Sequence, residues 1–428
     1  MTDQGRDLLA HLFRRAGFGA KTADLDAYST RGYIAAVNDL LASSAATPKP
    51  ALRLPVAVPL LAPAATLDDA QTGWVKQMVT TNAVLVERMT LFLSNHFATA
   101  FTPGDHIDAA AMTNQQAKIR SGALGNFKDL THAMVDDLAL GVYLNSERSM
   151  KTVPNENLGR ELMELFLLGP GNYTEADVKQ AARALTGYQL TKTLIGGWQF
   201  TYNKNAHDDG LKTVLGVTAA FNPHSLVDFL LARPAASRFI ATKLVTHFVS
   251  TSPDTAIVTA VAQSLARNWS LSDALRVIFL SSQFKAPSIR QTLVKMPAEY
   301  VTGAMRALGR TEYRDGALFM SAAGQTLFRP ATVAGWPQGQ SLLGAGSMLA
   351  RYNTAAKLAT FHMAKPSAAA PSGPELRTWA EGFGMTSLAP RTEAALTAYA
   401  NATTNQTTQT RVGGLITLLA ASPDFNLA

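Results

Sequence analysis

Long runs of helix-compatible sequence, broken by two proline-rich segments, limit what this chain can fold into. From Trp74 to Phe97 there is no glycine or proline, and apolar residues recur at helical spacing. Leu124 to Tyr143 continues in that style, and Asn155 to Leu168 reads as a compact helix. Thr174 to Thr186 is another, with Thr174 as N-cap, Asp177 three residues on and Gly187 just past the end. The turn Pro170-Gly171-Asn172 predicts that the last two helices pack antiparallel. Residues 45–69 hold Pro48, Pro50, Pro55, Pro59 and Pro63, a density no helix tolerates. Residues 364–374 hold Pro366, Pro371 and Pro374 with Ser367, Ser372 and Gly373.

These breaks divide the chain into an N-terminal helical segment (1–44), a linker (45–69), a main helical domain (70–363), a second linker (364–374) and a C-terminal helical appendage (375–428). Within the main domain, Trp198-Gln199-Phe200-Thr201-Tyr202 alternates, and Lys212-Thr213-Val214-Leu215 ends at Gly216. The expected fold class is therefore mainly α: a multi-helix domain with one small β-hairpin near 198–216, its two strands paired around the intervening loop. Ser281-Ser282-Gln283-Phe284 and Ser422-Pro423-Asp424-Phe425 both close an apolar helix, a hint of internal repetition.

Composition narrows the chemistry. With 47% hydrophobic and 16% charged residues the chain can bury a large core. With no cysteine it has no disulfide, thiolate nucleophile or iron–sulfur cluster. Lysine and arginine exceed aspartate and glutamate by 38 to 31, giving +7, but they are scattered singly or in pairs such as Arg14-Arg15. Nucleic acid is not expected as a partner without a basic stripe. No stretch reaches the ~18 apolar residues of a membrane helix, and the first residues lack the apolar region of a secretory signal. The chain is expected to be soluble, and cytoplasmic as written, or periplasmic or extracellular if a leader was removed. There is no nucleotide or flavin signature, no Gly-x-Ser-x-Gly elbow and no His-Glu-x-x-His.

Charge is scarce but concentrated in places where it is costly. A step of about 100° per residue puts Leu158, Leu162, Leu165 and Phe166 on one helix face. Glu161 falls in the flank of that face, with Glu164 on its edge and Glu156 at the start. Buried carboxylates need partners or a metal. Arg160 and Arg183 could supply an ion-pair network, whereas Glu-x-x-Glu spacing could bring two carboxylates to one point for acid–base or metal chemistry. His207-Asp208, with Lys212, forms a second candidate: a base, a metal-ligand pair, or a polar turn at Asp209-Gly210. Glu87 and His96 are secondary candidates that face opposite ways on a straight helix. The Gly- and Pro-rich loop from Gly324 to Gly339 could present Arg329 and Trp336 to a ligand.

These segments resemble the bacterial "domain of unknown function 1800" family. The matching stretches include Arg14-Arg15-Ala16-Gly17-Phe18-Gly19, Glu87-Arg88-Met89-Thr90-Leu91-Phe92, Asn95-His96-Phe97 and Pro154-Asn155-Glu156-Asn157 with Arg160-Glu161-Leu162-Met163-Glu164-Leu165. They continue through Tyr173-Thr174-Glu175-Ala176-Asp177-Val178, Ala182-Arg183-Ala184-Leu185-Thr186-Gly187, His207-Asp208 with Lys212, Phe328-Arg329-Pro330 and Gly335-Trp336-Pro337. The resemblance implies a largely helical bacterial protein with no assigned activity. By association it implies cell-envelope or glycan work and a sulfatase-like partner protein.

The resulting expectation is a hydrolase or lyase acting on a polar polymer such as a polysaccharide. Glu161, Glu164, His207 and Asp208 would be catalytic. Arg160, Arg183, Lys212, Arg329 and Trp336 would bind substrate, and a divalent metal would sit among Glu156, Glu161, Glu164 and His207. The alternative is a non-catalytic cell-envelope binding or assembly protein with a buried structural ion-pair network.

Overall fold

Half of the helices start where a short polar side chain caps them. The computed structural model describes residues 3–42, 64–102, 104–193, 197–366 and 375–428. Linker residues 45–63 and 367–374 lie outside the described residues. The first helices are α1 (Asp3–Ala16), α2 (Thr22–Arg31), α3 (Tyr33–Ala42), α4 (Leu67–Thr80) and α5 (Val84–His96). Then come α6 (Ala109–Gly122), α7 (Phe127–Val135), α8 (Leu138–Tyr143), α9 (Asn157–Glu161) and α10 (Glu175–Ala184). Thr66, Asp108, Asn126, Asp137 and Thr174 cap α4, α6, α7, α8 and α10, with full capping boxes at Thr66/Asp69 and Thr174/Asp177. After two small sheets follow α11 (Pro223–Leu231), α12 (Pro234–Phe248), α13 (Thr255–Asn268), α14 (Leu271–Leu280), α15 (Ser282–Lys285), α16 (Pro297–Ala307), α17 (Tyr313–Ala322) and α18 (Ala345–Ala364). The last four are α19 (Leu376–Gly382), α20 (Pro390–Ala402), α21 (Thr408–Ala421) and α22 (Pro423–Asn426). The fold is mainly α. Among the described residues no helix is long and apolar enough to cross a membrane.

Two of the long helical runs are each split in two, at places without a breaker residue. Between α4 and α5, Thr81 is extended and its Oγ1 accepts the Ala83 N–H at 3.0 Å. Arg306 of α16 donates one guanidinium nitrogen to the carbonyls of Met78, Val79 and Thr81 at 3.1, 2.8 and 2.9 Å. The last carbonyls of α4 are thus satisfied from another helix. Between α7 and α8, Asp137 leaves the helix to accept the Leu140 N–H at 3.0 Å.

The strands lie close to where alternation placed them, but their partners differ from the expected hairpin. β1 (Tyr188–Lys192) pairs antiparallel with β2 (Trp198–Tyr202), and β3 (Lys212–Val214) with β4 (Val217–Ala219). Val214 faces Val217 across a two-residue turn, Leu215-Gly216, where both residues have positive φ. That turn suits the twist of a tight hairpin, so β3 folds back on its own neighbour rather than reaching β2.

Among the described residues, two large apolar clusters form most of the interior, with a small third one around Trp336. One gathers Leu9, Met89, Phe97, Phe127, Phe166, Leu244 and Phe279. The other gathers Phe18, Trp74, Tyr300, Leu358, Trp379 and Phe425. Helix α5 serves both, with Met89 and Leu93 in the first and Leu91 in the second. Residues 375–428 share the second cluster with α16 and α18. The chain also closes on itself over long separations: Arg14 Nη1 donates to the Gly384 carbonyl at 3.0 Å.

The Ser-x-x-Phe hint corresponds to a recurring local geometry. Ser281 (φ −64°, ψ 151°) and Ser422 (φ −65°, ψ 152°) each end one helix and cap the next. Their hydroxyls accept the N–H of Phe284 and Phe425 at 3.1 and 3.3 Å. Phe284 then enters the first cluster and Phe425 the second.

Candidate functional site

Asn155 to Leu168 does not stay α-helical. Helix α9 passes directly into a π-helical turn, Leu162–Leu167. Leu158, Leu162, Met163, Phe166 and Leu167 are buried. Gly159 lets α9 approach α10 closely: a Cβ there would lie 3.2 Å from the Ala182 nitrogen. In the wider turn, the Leu168 and Gly169 N–H groups both reach the Met163 carbonyl at 3.0 Å. The Leu165 carbonyl instead accepts from Lys243 Nζ at 3.2 Å, and burial lowers the Lys243 ammonium to about 8. Single π turns of this kind occur frequently at functional sites.

The turn leaves Glu161 half-buried and without a side-chain hydrogen bond among the described residues. Burial first, and then the nearby Glu164 carboxylate, push the Glu161 carboxyl above the ordinary glutamate value, against the pull of Arg160. Glu164 accepts from the Tyr173 hydroxyl at 2.7 Å. Glu161 and Glu164 therefore lie within electrostatic reach, as their spacing suggested. Glu156 and Arg160 are engaged elsewhere. Arg160 grips both oxygens of Glu175 at 2.7 Å and reaches Glu156 at 3.2 Å.

His207 and Asp208 form a loop clamp. His207 is buried, its Nδ1 lies 2.9 Å from the Thr186 carbonyl, and its ring packs on Tyr202. Asp208 accepts from Arg183 Nε at 2.7 Å and from the Gly210 N–H at 2.9 Å. The Arg183 guanidinium holds the Asp208 carboxyl below the usual aspartate range. Lys212 is fully buried and donates to the Asp208 carbonyl, and burial lowers its ammonium. Arg183 also donates to Gln180 and the Leu211 carbonyl at 2.9 and 3.1 Å.

The four expected metal ligands are not all brought together in this structure. Among the described residues no three His, Asp or Glu side chains are placed to hold one ion. Glu156 is turned to Arg160 and His207 to a backbone carbonyl, so neither joins Glu161 and Glu164 as a ligand set.

Other candidates take structural places. Glu87 is fully buried, paired with Arg120 and accepting from Trp74 Nε1 at 3.3 Å. His96 is buried among Phe97, Phe127 and Phe166, and burial drives its ring well below the ordinary histidine value. Trp336 is not a ligand platform. It is buried, with Nε1 donating to the Thr326 carbonyl at 2.9 Å and its backbone N–H to Asn95 Oδ1 at 2.6 Å. Arg329 is exposed on the same loop.

The structure adds residues that pattern reading missed. Tyr143 ends α8, Asn145 turns the chain in the left-handed region (φ 57°), and Ser146–Arg148 form a 3-10 turn. Thr102, Asp105, His106, Tyr143, Glu147 and Arg148 line a cavity of about 340 Å³. Burial raises the Glu147 carboxyl above the ordinary glutamate value. One of its oxygens lies 3.1 Å from Arg148 Nε, and the other is buried without a hydrogen-bond partner. Burial and the Glu161 charge both raise the Tyr143 hydroxyl. Tyr143 thus lines the cavity and also feels the Glu161 charge. His106 packs on Trp198 of β2, ring centroids 4.1 Å apart, and that tryptophan is 38% exposed. The aromatic character of β2 was visible in the sequence. Glu147 carried no signal, because its burial depends on the Asn145 turn.

A family model described as a protein of unknown function, DUF1800, matches residues 11–427. The chain belongs to the DUF1800 family. The DUF1800 match spans Tyr143, Glu147, Glu161, Glu164 and the His207–Lys212 loop alike. No curated protein and no solved structure matches the chain.

Proposed function

We propose that this DUF1800 protein is an acid–base hydrolase or lyase acting on a polar polymer such as a polysaccharide. One observation carries the reading: Glu147, a carboxyl raised by burial, lines a polar cavity together with Tyr143, and the charge of Glu161, a second carboxyl raised by burial, acts on that Tyr143 hydroxyl. A carboxyl whose protonated form is favoured by burial can deliver a proton to a leaving oxygen, and a second carboxyl can remove one. Glu147 is the proposed acid. Glu161, whose ionised form is favoured by Arg160, is the proposed base, and Tyr143 orients the bond between them. Exposed Trp198 offers a stacking face for a sugar ring, and Arg148, 72% exposed, offers a cation for an acidic substituent. His207, Asp208, Arg183 and Lys212 act as the frame of the neighbouring loop. A cell-envelope setting with a sulfatase-like partner fits a glycan substrate.

The test is to assay the wild-type protein, Glu147→Gln and Glu161→Gln on polygalacturonate, alginate and xylan. New reducing ends report hydrolysis, and unsaturated products report elimination. Each variant is expected to lose about 100-fold or more in rate while keeping its circular dichroism. Full activity in both variants on a polymer that the wild type cleaves would overturn the assignment.

The rival reading is a non-catalytic cell-envelope binding or assembly protein. It is supported by the closed pairs Arg160–Glu175, Arg183–Asp208 and Glu87–Arg120. On that reading the Gln variants would keep wild-type polymer binding and no member of the series would cleave.

A further inference from the structure

Away from the carboxyl site, a cavity of about 620 Å³ lies where the start of α2, the end of α4, α16 and the end of α19 meet. It shares no lining residue with the cavity at Glu147. Its volume falls within the ~300–1,000 Å³ of small-molecule sites. Phe18, Val79, Met305 and Phe383 form the apolar part of its wall, and Lys21 and Arg306 supply two cations. Among the described residues no carboxylate lines it.

Neither cation is spent on an ion pair among the described residues. Arg306 uses one nitrogen, Nη1, on the last carbonyls of α4. Its Nε and Nη2 have no acceptor among the described residues, and both remain open to solvent. That Nε–Nη2 edge is the one with which Arg183 and Arg310 grip the carboxylates of Asp208 and Glu312. The Lys21 ammonium has no partner among the described residues. Burial lowers both cations, Arg306 to about 10, and each is costly to hold without an anion. Asp24 acts on both but is ion-paired with neither, and burial raises its carboxyl. Two positive charges against one negative leave one to be met.

We propose that this cavity binds a small organic carboxylate with an apolar body. The carboxylate lies on the open edge of Arg306 with Lys21 beside it, and the body packs on Phe18, Val79 and Met305. A guanidinium edge matches the two oxygens of a carboxylate. A single negative charge meets the one positive charge that Asp24 leaves, and a phosphate dianion would exceed it. The site is independent of the reading built on Glu147 and Glu161.

The experiment titrates the full chain with 2-naphthoate and with octanoate, a flat and a chain-like body on the same head group, following calorimetric heat and thermal unfolding. The expected result is saturable one-to-one binding of at least one of them and a Tm that climbs with the logarithm of its concentration. The matching neutral amide should bind about tenfold or more weakly, the loss of one charge-assisted hydrogen bond. Acetate, which lacks the body, should not saturate over the same range. Arg306 also holds the end of α4, so the variants leave it in place. Lys21→Gln should weaken binding about threefold, and Ala23→Phe, which puts bulk into the cavity wall, should abolish it. The proposal is overturned if neither carboxylate binds saturably, or if the amide binds as tightly as its acid. It is equally overturned if folded Lys21→Gln and Ala23→Phe both bind as the wild type does.

Discussion

The buried pair Glu87–Arg120 gives the sharpest quantitative expectation. Both side chains are fully buried, and Arg120 Nε and Nη1 have no acceptor of their own. Burial alone brings the Arg120 guanidinium down to about 9. Glu87→Met removes the counter-charge and the acceptor of Trp74 Nε1 while roughly keeping volume. Stranding one member of a buried ion pair costs about 3–5 kcal/mol, and the orphaned indole N–H adds about 1 kcal/mol. Replacing both members, Glu87→Met with Arg120→Met, removes the stranded charge and should cost no more than about 1–2 kcal/mol. The double-mutant cycle should therefore give a coupling of at least about 2 kcal/mol. Urea unfolding followed by tryptophan fluorescence and circular dichroism measures all four corners. If Glu87→Met alone costs under about 1 kcal/mol, or the cycle closes near zero, the pair is not a buried structural bridge and this account of Glu87 fails.

Further outcomes follow from other parts of the molecule. Because the folded-state Glu161 carboxyl is raised above its ordinary 4.5, its stabilising share is complete below that value and is lost as pH rises through the folded value. Glu161→Gln should therefore flatten the fall in Tm between acid and neutral pH, and an unchanged slope would contradict the shift. Asp208 has the opposite sign. Its carboxyl is depressed, so its share is present above the ordinary 3.8 and is lost as pH falls through the folded value. Asp208→Asn should cost about 1–2 kcal/mol at neutral pH, the worth of a charge-assisted bond to Arg183, and progressively less as pH falls below the ordinary 3.8, as read by urea unfolding at each pH. Gly335→Ala places a methyl group against Asn95 at a residue with φ 97°. It should cost about 2–3 kcal/mol or more and shift Trp336 emission to the red.

The parts of the fold that were legible in the sequence are those set by neighbours along the chain. Thr174 and Asp177 announce the start of α10 because the capping box is a three-residue device. Ser281 and Ser422 announce their helix junctions for the same reason. What the sequence hid was set by residues far away. The break after α4 depends on Arg306, more than two hundred residues on. The π turn that positions Glu161 is completed by Lys243. Spacing put Glu161 beside Glu164, and the structure keeps them there. His207-Asp208 looked equally chemical, but its partners proved to be Thr186 and Arg183. A polar pair in a loop reads alike whether it faces substrate or its own backbone.

The two interior clusters also place a demand on synthesis. Phe18 belongs to the cluster that contains Tyr300, Trp379 and Phe425, and Arg14 closes on Gly384. At ~5–20 residues per second of translation, Phe18 waits roughly 20–80 s for Phe425 to be made. The first cluster can close once Phe284 has been made, but the second still lacks its C-terminal members then. Contacts so distant along the chain form late and slowly. The second cluster therefore stays unfinished until residues 375–428 have been made.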